Sequence, residues 1–219
     1  MEDFGVAYIH SGGVWSDICE ISKSTLPKGT SITTILSKDH KDHLVKRLTL
    51  CDNLPYKRTL YLDCDTVYCA DQFPEWVFNM ELHTGVGMSA WLIANQLWSW
   101  PSSWGQYLGA SILELPHWFR VPNAGLMLIE GHSSSMFKRW LNEWESSSIP
   151  LIEPTYIGAF GGEPTQMFDI IPPSFHIPST NVKEEWVKLP NYYFIHAITN
   201  SNNKTKEMER VLSFLREVK

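Results

Sequence analysis

Two aspartates one residue apart interrupt an otherwise apolar run, Thr59-Leu60-Tyr61-Leu62-Asp63-Cys64-Asp65-Thr66-Val67-Tyr68. The β-branched and aromatic residues around them give the run strand character. A spacing of two puts both carboxylates on the same face of an extended segment. Buried as bare charges they would be very costly. At a strand end they can share a divalent cation through hard oxygen ligands. The chemistry this predicts is metal-assisted handling of a phosphate group. The plainer alternative is a pair of solvated aspartates in a turn, where short acidic side chains are common.

Such a pair needs a rigid frame, and the flanking sequence supplies one. Phe4–His10 reads as a first strand ending at Ser11-Gly12-Gly13, and a helix capped by Ser16 or Asp17 runs to Leu26, stopped by Pro27. Ser31–Leu36 is a second strand, followed by a helix over Asp39–Cys51 with Leu44, Leu48 and Cys51 on one face. Thr59–Leu62 is the third strand, Phe73–Met80 a short helix and Gly85–Leu92 a fourth strand. Val121–Ile129 forms a further strand, interrupted at Asn123-Ala124-Gly125. Met136, Phe137, Trp140, Leu141 and Trp144 follow helical spacing, and a Gly- and Pro-rich segment then runs to Pro173. Tyr192–Ile198 is a last strand, 199–206 a polar loop, and the tail an amphipathic helix with Met208, Val211, Leu212, Leu215 and Val218 inward. This alternation predicts one α/β domain with a mainly parallel sheet covered on both faces. Ligands of such sheets sit outside the carboxyl ends of the strands, where Asp63, Asp65, His10 and Ser11 all fall.

Composition excludes several classes. A chain of 219 residues with 43% hydrophobic content can bury a sizeable core, which excludes disorder. A net charge of −6 argues against a nucleic-acid partner, which needs clustered Lys and Arg. The four cysteines form no CxxC pair and are too few for a disulfide scaffold. MEDFGVAYIH is acidic without a long apolar core, and no apolar stretch reaches 18 residues. These features predict a reducing, cytoplasmic setting with no membrane span, in which the sequon Asn203-Lys204-Thr205 stays unmodified.

Four features occur in a fixed order: Arg47-Leu48-Thr49-Leu50, Tyr61-Leu62-Asp63-Cys64-Asp65, Asn123-Ala124-Gly125-Leu126-Met127-Leu128-Ile129, and Phe194-Ile195-His196. Together they resemble the retaining glycosyltransferases of the glycogenin and bacterial lipopolysaccharide galactosyltransferase group (family 8), with the GT-A nucleotide-sugar fold. The resemblance spans roughly residues 4–206, and the compact chain looks like small viral or phage members. It implies a single GT-A domain with a nucleotide-binding half over 1–80, a donor-sugar and acceptor half over 81–206 and a C-terminal helix over 207–219. It implies that Asp63, Asp65 and His196 hold the metal on the diphosphate of a nucleotide sugar. Such a ligand set suits Mn²⁺, with Mg²⁺ second. Arg47 matches the helix arginine that reaches donor phosphate or sugar, and Asn123, Ala124 and Gly125 match the donor-sugar segment.

The match loosens further on. The family's Asp-Gln pair is replaced by Gly161-Gly162-Glu163-Pro164-Thr165-Gln166, so Glu163 and Gln166 become, with Arg47, the catalytic candidates and Glu163 a donor-sugar contact. That leaves the stereochemistry open. Lys204 stands in for a phosphate-contacting lysine. The base belongs at the end of the first strand, near Tyr8, Ile9, His10 and Ser11, with backbone groups reading its edge; Asp39, at the end of the second strand, is a candidate for base or ribose, and Cys64 a further nucleotide contact. Uridine diphosphate is the usual carrier of the family. The crowded indoles Trp91, Trp98, Trp100, Trp104 and Trp118 suggest a stacking platform for a glycan or glycoprotein acceptor, with Trp91, Trp98 and Trp104 the candidates. Two other classes compete. Asp63-Cys64-Asp65-Thr66-Val67 also fits the start of a haloacid-dehalogenase-type phosphatase, although that motif normally ends the first strand of its fold. The indoles alone would also serve a non-catalytic carbohydrate-binding protein.

Overall fold

The computed structural model describes residues 3–92, 120–131, 134–147, 169–171, 176–178, 194–196 and 203–218. Side chains at 89–92, 120–123, 134, 170, 176–178, 196 and 218 lie outside that description. The elements run β1 (Phe4–His10), α1 (Val14–Ser24), β2 (Ile32–Leu36), α2 (His40–Leu48), a 3-10 turn (Leu50–Asn53), β3 (Arg58–Leu62), β4 (Thr66–Tyr68), α3 (Trp76–Asn79), β5 (Val86–Leu92), β6 (Arg120–Glu130), α4 (Ser134–Ser146), β7 (Asp169–Ile171), β8 (His176–Pro178), β9 (Phe194–His196) and α5 (Lys204–Val218).

Six strands form the main sheet in the order β2-β1-β3-β6-β5-β7. β2, β1 and β3 are parallel, β6 runs against β3 and β5, and β7 is parallel to β5. The sheet is therefore mixed and mostly parallel. A second sheet, β4-β9-β8, sets β9 antiparallel to β4 and parallel to β8.

Alternation along the strands splits the core into two layers. Val6, Tyr8, Leu60, Leu62, Leu126 and Leu128 meet Ile18 and Cys19 of α1 and Met208, Val211 and Leu215 of α5. Ala7, Ile9, Tyr61, Met127 and Ile129 meet Leu44 and Leu48 of α2 and Phe137, Trp140 and Trp144 of α4. Both faces are covered, which is why β1 and β3 read as nearly unbroken apolar runs.

The strands lie within about two residues of their expected bounds at β1, β2, β3, β5 and β6, while the helices differ more. α2 ends at Leu48 rather than Cys51. Thr49 closes it by bonding back to Val45 through both its N–H and its hydroxyl, each at 2.9 Å, and the chain tightens into the 3-10 turn. α1 starts three or four residues early, after Gly13 rather than Ser16 or Asp17, and ends at Ser24. α3 is one turn, following Pro74. α5 begins at Lys204, inside the segment expected to be a polar loop. β6 continues through Asn123-Ala124-Gly125, but its register against β5 slips there: Met88 faces Met127, yet Ser89 faces Asn123.

Candidate nucleotide-diphosphate site

The β3–β6 pairing, regular where β6 slips against β5, sets the geometry of the acidic pair. Leu126 still pairs with Leu62 of β3, and one residue on, Asp63 donates its N–H to the Gly125 carbonyl at 2.9 Å. Gly125 thus ties the Asn-Ala-Gly segment to the first aspartate. Thr66 N–H closes a turn on the Asp63 carbonyl at 3.1 Å. Inside this turn Cys64 points into the core, its thiol donating to the Ile9 carbonyl at 3.4 Å. Its bond with Cys19 and then burial push the Cys64 thiol well up, so it stays protonated at neutral pH. The side chains on either side of it, Asp63 and Asp65, line a pocket of about 230 Å³ with Ile9, His10, Ser11, Trp15, His40, His43 and Arg47.

Each aspartate is met by a cation. The Arg47 guanidinium, 8% exposed, donates to Asp63 Oδ1 at 2.7 Å. The Tyr61 hydroxyl donates to the same oxygen at 2.6 Å, and the guanidinium sits 5.3 Å from the Tyr61 ring centre. Burial pushes Tyr61 well above its ordinary range, keeping it a donor. Arg47 also bonds His43 Nε2 at 2.9 Å. Asp65, 4% exposed, bonds the Lys204 ammonium at the start of α5, which in turn lies 5.7 Å from the Trp15 ring centre.

Because Arg47 is always a donor, the His43 Nε2 it meets must be the unprotonated nitrogen. Burial, then the Arg47 charge, holds the His43 pKa down to about 4. The unfolded chain protonates this imidazole near pH 6.5, before the folded chain does. Stability should therefore be full above about pH 6.5 and fall towards pH 4, at up to about 1.4 kcal/mol per pH unit. His10, lowered chiefly by burial, adds in the same sense. His43→Gln, which keeps an acceptor, should flatten the slope when urea unfolding at about pH 7 and about pH 5 is compared. An unchanged slope would contradict this assignment.

The structure brings part of the sequence-level candidates together. Asp63, Asp65, Arg47, Ile9, His10, Ser11 and Cys64 line the one pocket, and Lys204 reaches it through Asp65. β9 pairs with β4 so that residue 196 lies opposite Thr66, directly after Asp65; the His196 side chain lies outside the described residues. Tyr8 is not at the pocket: it is fully buried against α1 and its hydroxyl bonds Ser22 at 3.0 Å. Asp39 caps α2 by accepting the Asp42 N–H at 2.8 Å. The Ala124 methyl is core, so this residue offers a ligand only its backbone. Asn123 and Trp91 are placed by backbone, on β6 and β5. Glu163, Gln166, Trp98, Trp100, Trp104 and Trp118 lie outside the described residues.

Sequence reasoning missed His40, His43 and Trp15. The first two had a signal: with Arg47 they fall at i, i+3 and i+7, one face of α2.

Do these residues fit a divalent cation? Two carboxylates two positions apart at a strand end are hard oxygen donors, and the Lys204 ammonium already sits on Asp65 as a cation would. The donor set fits. Among the described residues no cluster of three such side chains occurs, so a third protein ligand would come from outside them.

No protein-family model matches the chain, and no curated protein matches it in sequence. Solved structures do resemble it. A glycosyltransferase involved in glycosylation of the major capsid of PBCV-1 superposes with a TM-score of 0.61 at 12% identity, over 94% of this chain and 99% of that one. Mouse xyloside xylosyltransferase 1 gives 0.57 at 10% identity, over 91% and 99%. The galactosyltransferase LgtC, in complex with donor and acceptor sugar analogues, gives 0.55 at 14% identity, over 94% and 95%. The chain has their fold, the GT-A nucleotide-diphospho-sugar transferase fold with a mixed, mostly parallel sheet flanked by helices.

Proposed function

We propose that this chain is a metal-dependent glycosyltransferase that moves a sugar from a nucleotide diphosphate donor, a uridine diphosphate sugar by resemblance, to a glycan hydroxyl. One observation carries the reading: on this fold, Asp63 and Asp65 line the same pocket as the buried Arg47, at the carboxyl end of β3.

Asp63, Asp65 and His196 would hold Mn²⁺ or Mg²⁺. That ion, when bound, stabilises the negative charge that grows on the departing nucleoside diphosphate. The chain's own groups do the rest. Arg47, anchored by His43, sets a fixed positive charge beside Asp63, where a preorganised cation needs no rearrangement as charge develops. Tyr61 holds the Asp63 carboxylate in one orientation. Lys204 supplies a second cation, an ammonium paired with Asp65, and would contact phosphate. Gly125 lets backbone approach the donor sugar closely, with the Asn123 amide serving its hydroxyls. Glu163 and Gln166 take the donor-facing catalytic positions, and Trp91, Trp98 and Trp104 the acceptor platform. Retention of configuration follows the family resemblance.

A thermal-shift screen of nucleotide sugars with Mn²⁺ tests this reading. A donor at a hundred times its dissociation constant should raise the melting temperature by about 5–10 °C. No shift with any nucleotide sugar, with or without metal, would overturn it.

A further inference from the structure

The two aspartates of the pocket are neutralised from within, and the two cations that do it differ in kind. Arg47 is bonded to Asp63 and His43 and set over the Tyr61 ring. A planar guanidinium held on several sides is a fixed charge. Lys204 is the first residue of α5, and its ammonium ends a flexible four-carbon stem. It pairs with Asp65 Oδ2. It also lies 5.7 Å from the centre of the Trp15 ring, which lines the same pocket. The pair is enclosed, the lysine side chain 13% exposed and the aspartate 6%. The stem starts from an anchored helix, because Met208, Val211 and Leu215 of α5 pack on Ile18 and Cys19 of α1. Lys204 thus has a fixed root, a movable end and an indole face beside it that attracts a cation.

The positive charges of Arg47 and Lys204 cancel the negative charges of Asp63 and Asp65. A divalent cation meeting this set gains little, since each acid already has its partner, and an ammonium that stays on Asp65 repels it. Leaving Asp65 costs the ammonium its partner in a poorly hydrated place. A diphosphate beside the acids offers a replacement, a charge-assisted bond to its oxygens. We propose that Lys204 is a resident counter-ion of Asp65 that gives way to the divalent ion and turns to the arriving diphosphate, so that metal and diphosphate favour each other's binding through this one side chain. The inference rests on the diphosphate reading of the pocket and adds to it an exchange of partners by Lys204.

Titration of the intact chain with Mn²⁺ alone, followed by calorimetry, tests the exchange. Lys204→Met keeps the stem and removes the charge. It should bind Mn²⁺ at least about tenfold tighter than the wild type, whereas Lys204→Arg, which keeps the charge, should bind no tighter. With Mn²⁺ present, Lys204→Met should bind inorganic pyrophosphate at least about tenfold more weakly. In EDTA it should melt about 5 °C below the wild type, its buried acid having lost a partner, and saturating Mn²⁺ should close most of that gap. A lysine that only braces α5 predicts weaker or unchanged Mn²⁺ binding and a melting gap that Mn²⁺ leaves open. Either result overturns the exchange and leaves the diphosphate reading standing. A Lys204→Met chain that is unfolded in EDTA still decides the matter: Mn²⁺ should restore its cooperative unfolding transition, and failure to do so overturns the proposal. If the wild type binds neither Mn²⁺ nor pyrophosphate, together or apart, the diphosphate reading itself has failed.

Discussion

Asp65→Ala is expected to abolish metal-supported sugar transfer, with turnover falling by at least about a thousandfold. The expectation follows from the place of this carboxylate. It is 4% exposed, follows β3 by three residues, and faces a pocket that also holds Asp63. A ligand lost from a divalent ion costs several kcal/mol of charge stabilisation on the leaving diphosphate, and about 4 kcal/mol is three orders of magnitude in rate. The variant also strands the Lys204 ammonium, which is 13% exposed and rests on Trp15. Asp65→Asn, which keeps the shape and a hydrogen-bond acceptor, separates the two effects. It should fold like the wild type and remain inactive. Turnover within about threefold of wild type in either variant would place the chemistry elsewhere.

Arg47→Leu should produce the largest loss of stability among the site substitutions, about 3 kcal/mol by urea unfolding. Its guanidinium is buried, bonded to Asp63 and His43, and stacked on Tyr61. Without it the Asp63 carboxylate, itself 18% exposed, loses its charge partner in a poorly hydrated place. Arg47→Lys should recover less than half of the loss, because an ammonium cannot present the planar fork that meets two partners. A loss under about 0.5 kcal/mol for Arg47→Leu would mean that the pair is as weak as a surface ion pair. Function should suffer beyond stability, since the same group orients the first aspartate.

Much of this arrangement was legible in the sequence, for a definite reason. β1 and β3 are buried on both faces, so each leaves a dense apolar signature. Their ends are marked by residues that cannot stay in a strand interior, Ser11-Gly12-Gly13 after β1 and Asp63 after β3. The spacing of two in Asp63 and Asp65 gave the pocket its acids directly. Arg47 was harder: an arginine on a helix is ordinarily solvated, and only the tertiary contact with Asp63 shows it buried. Tyr8 was named with Ile9, His10 and Ser11 by its place near the end of β1, but its side chain does not reach the pocket. Alternation turns it to the α1 face, whereas Ile9 faces α2.

What the sequence hid was short or non-local. β4, β7 and β8 are three residues each, too short to show a period, and they exist because of partners distant in sequence. The break between α2 and the 3-10 turn comes from Thr49, whose hydroxyl competes for the helix carbonyl. The early start of α5 joins Lys204 to Asp65 across 139 positions, a contact no local pattern encodes. His40 and His43 were visible as a helix face, yet only the pocket gives that face a purpose.

The central claim of the proposal is that Asp63 and Asp65, which line one pocket, bind a nucleoside diphosphate through a divalent ion. Calorimetric titration of a nucleoside diphosphate, once with Mn²⁺ and once with EDTA, measures this directly. The account predicts at least about a hundredfold tighter binding with the metal, a difference near 2.7 kcal/mol, and loss of that difference in Asp65→Ala. Equal affinity under both conditions would contradict it.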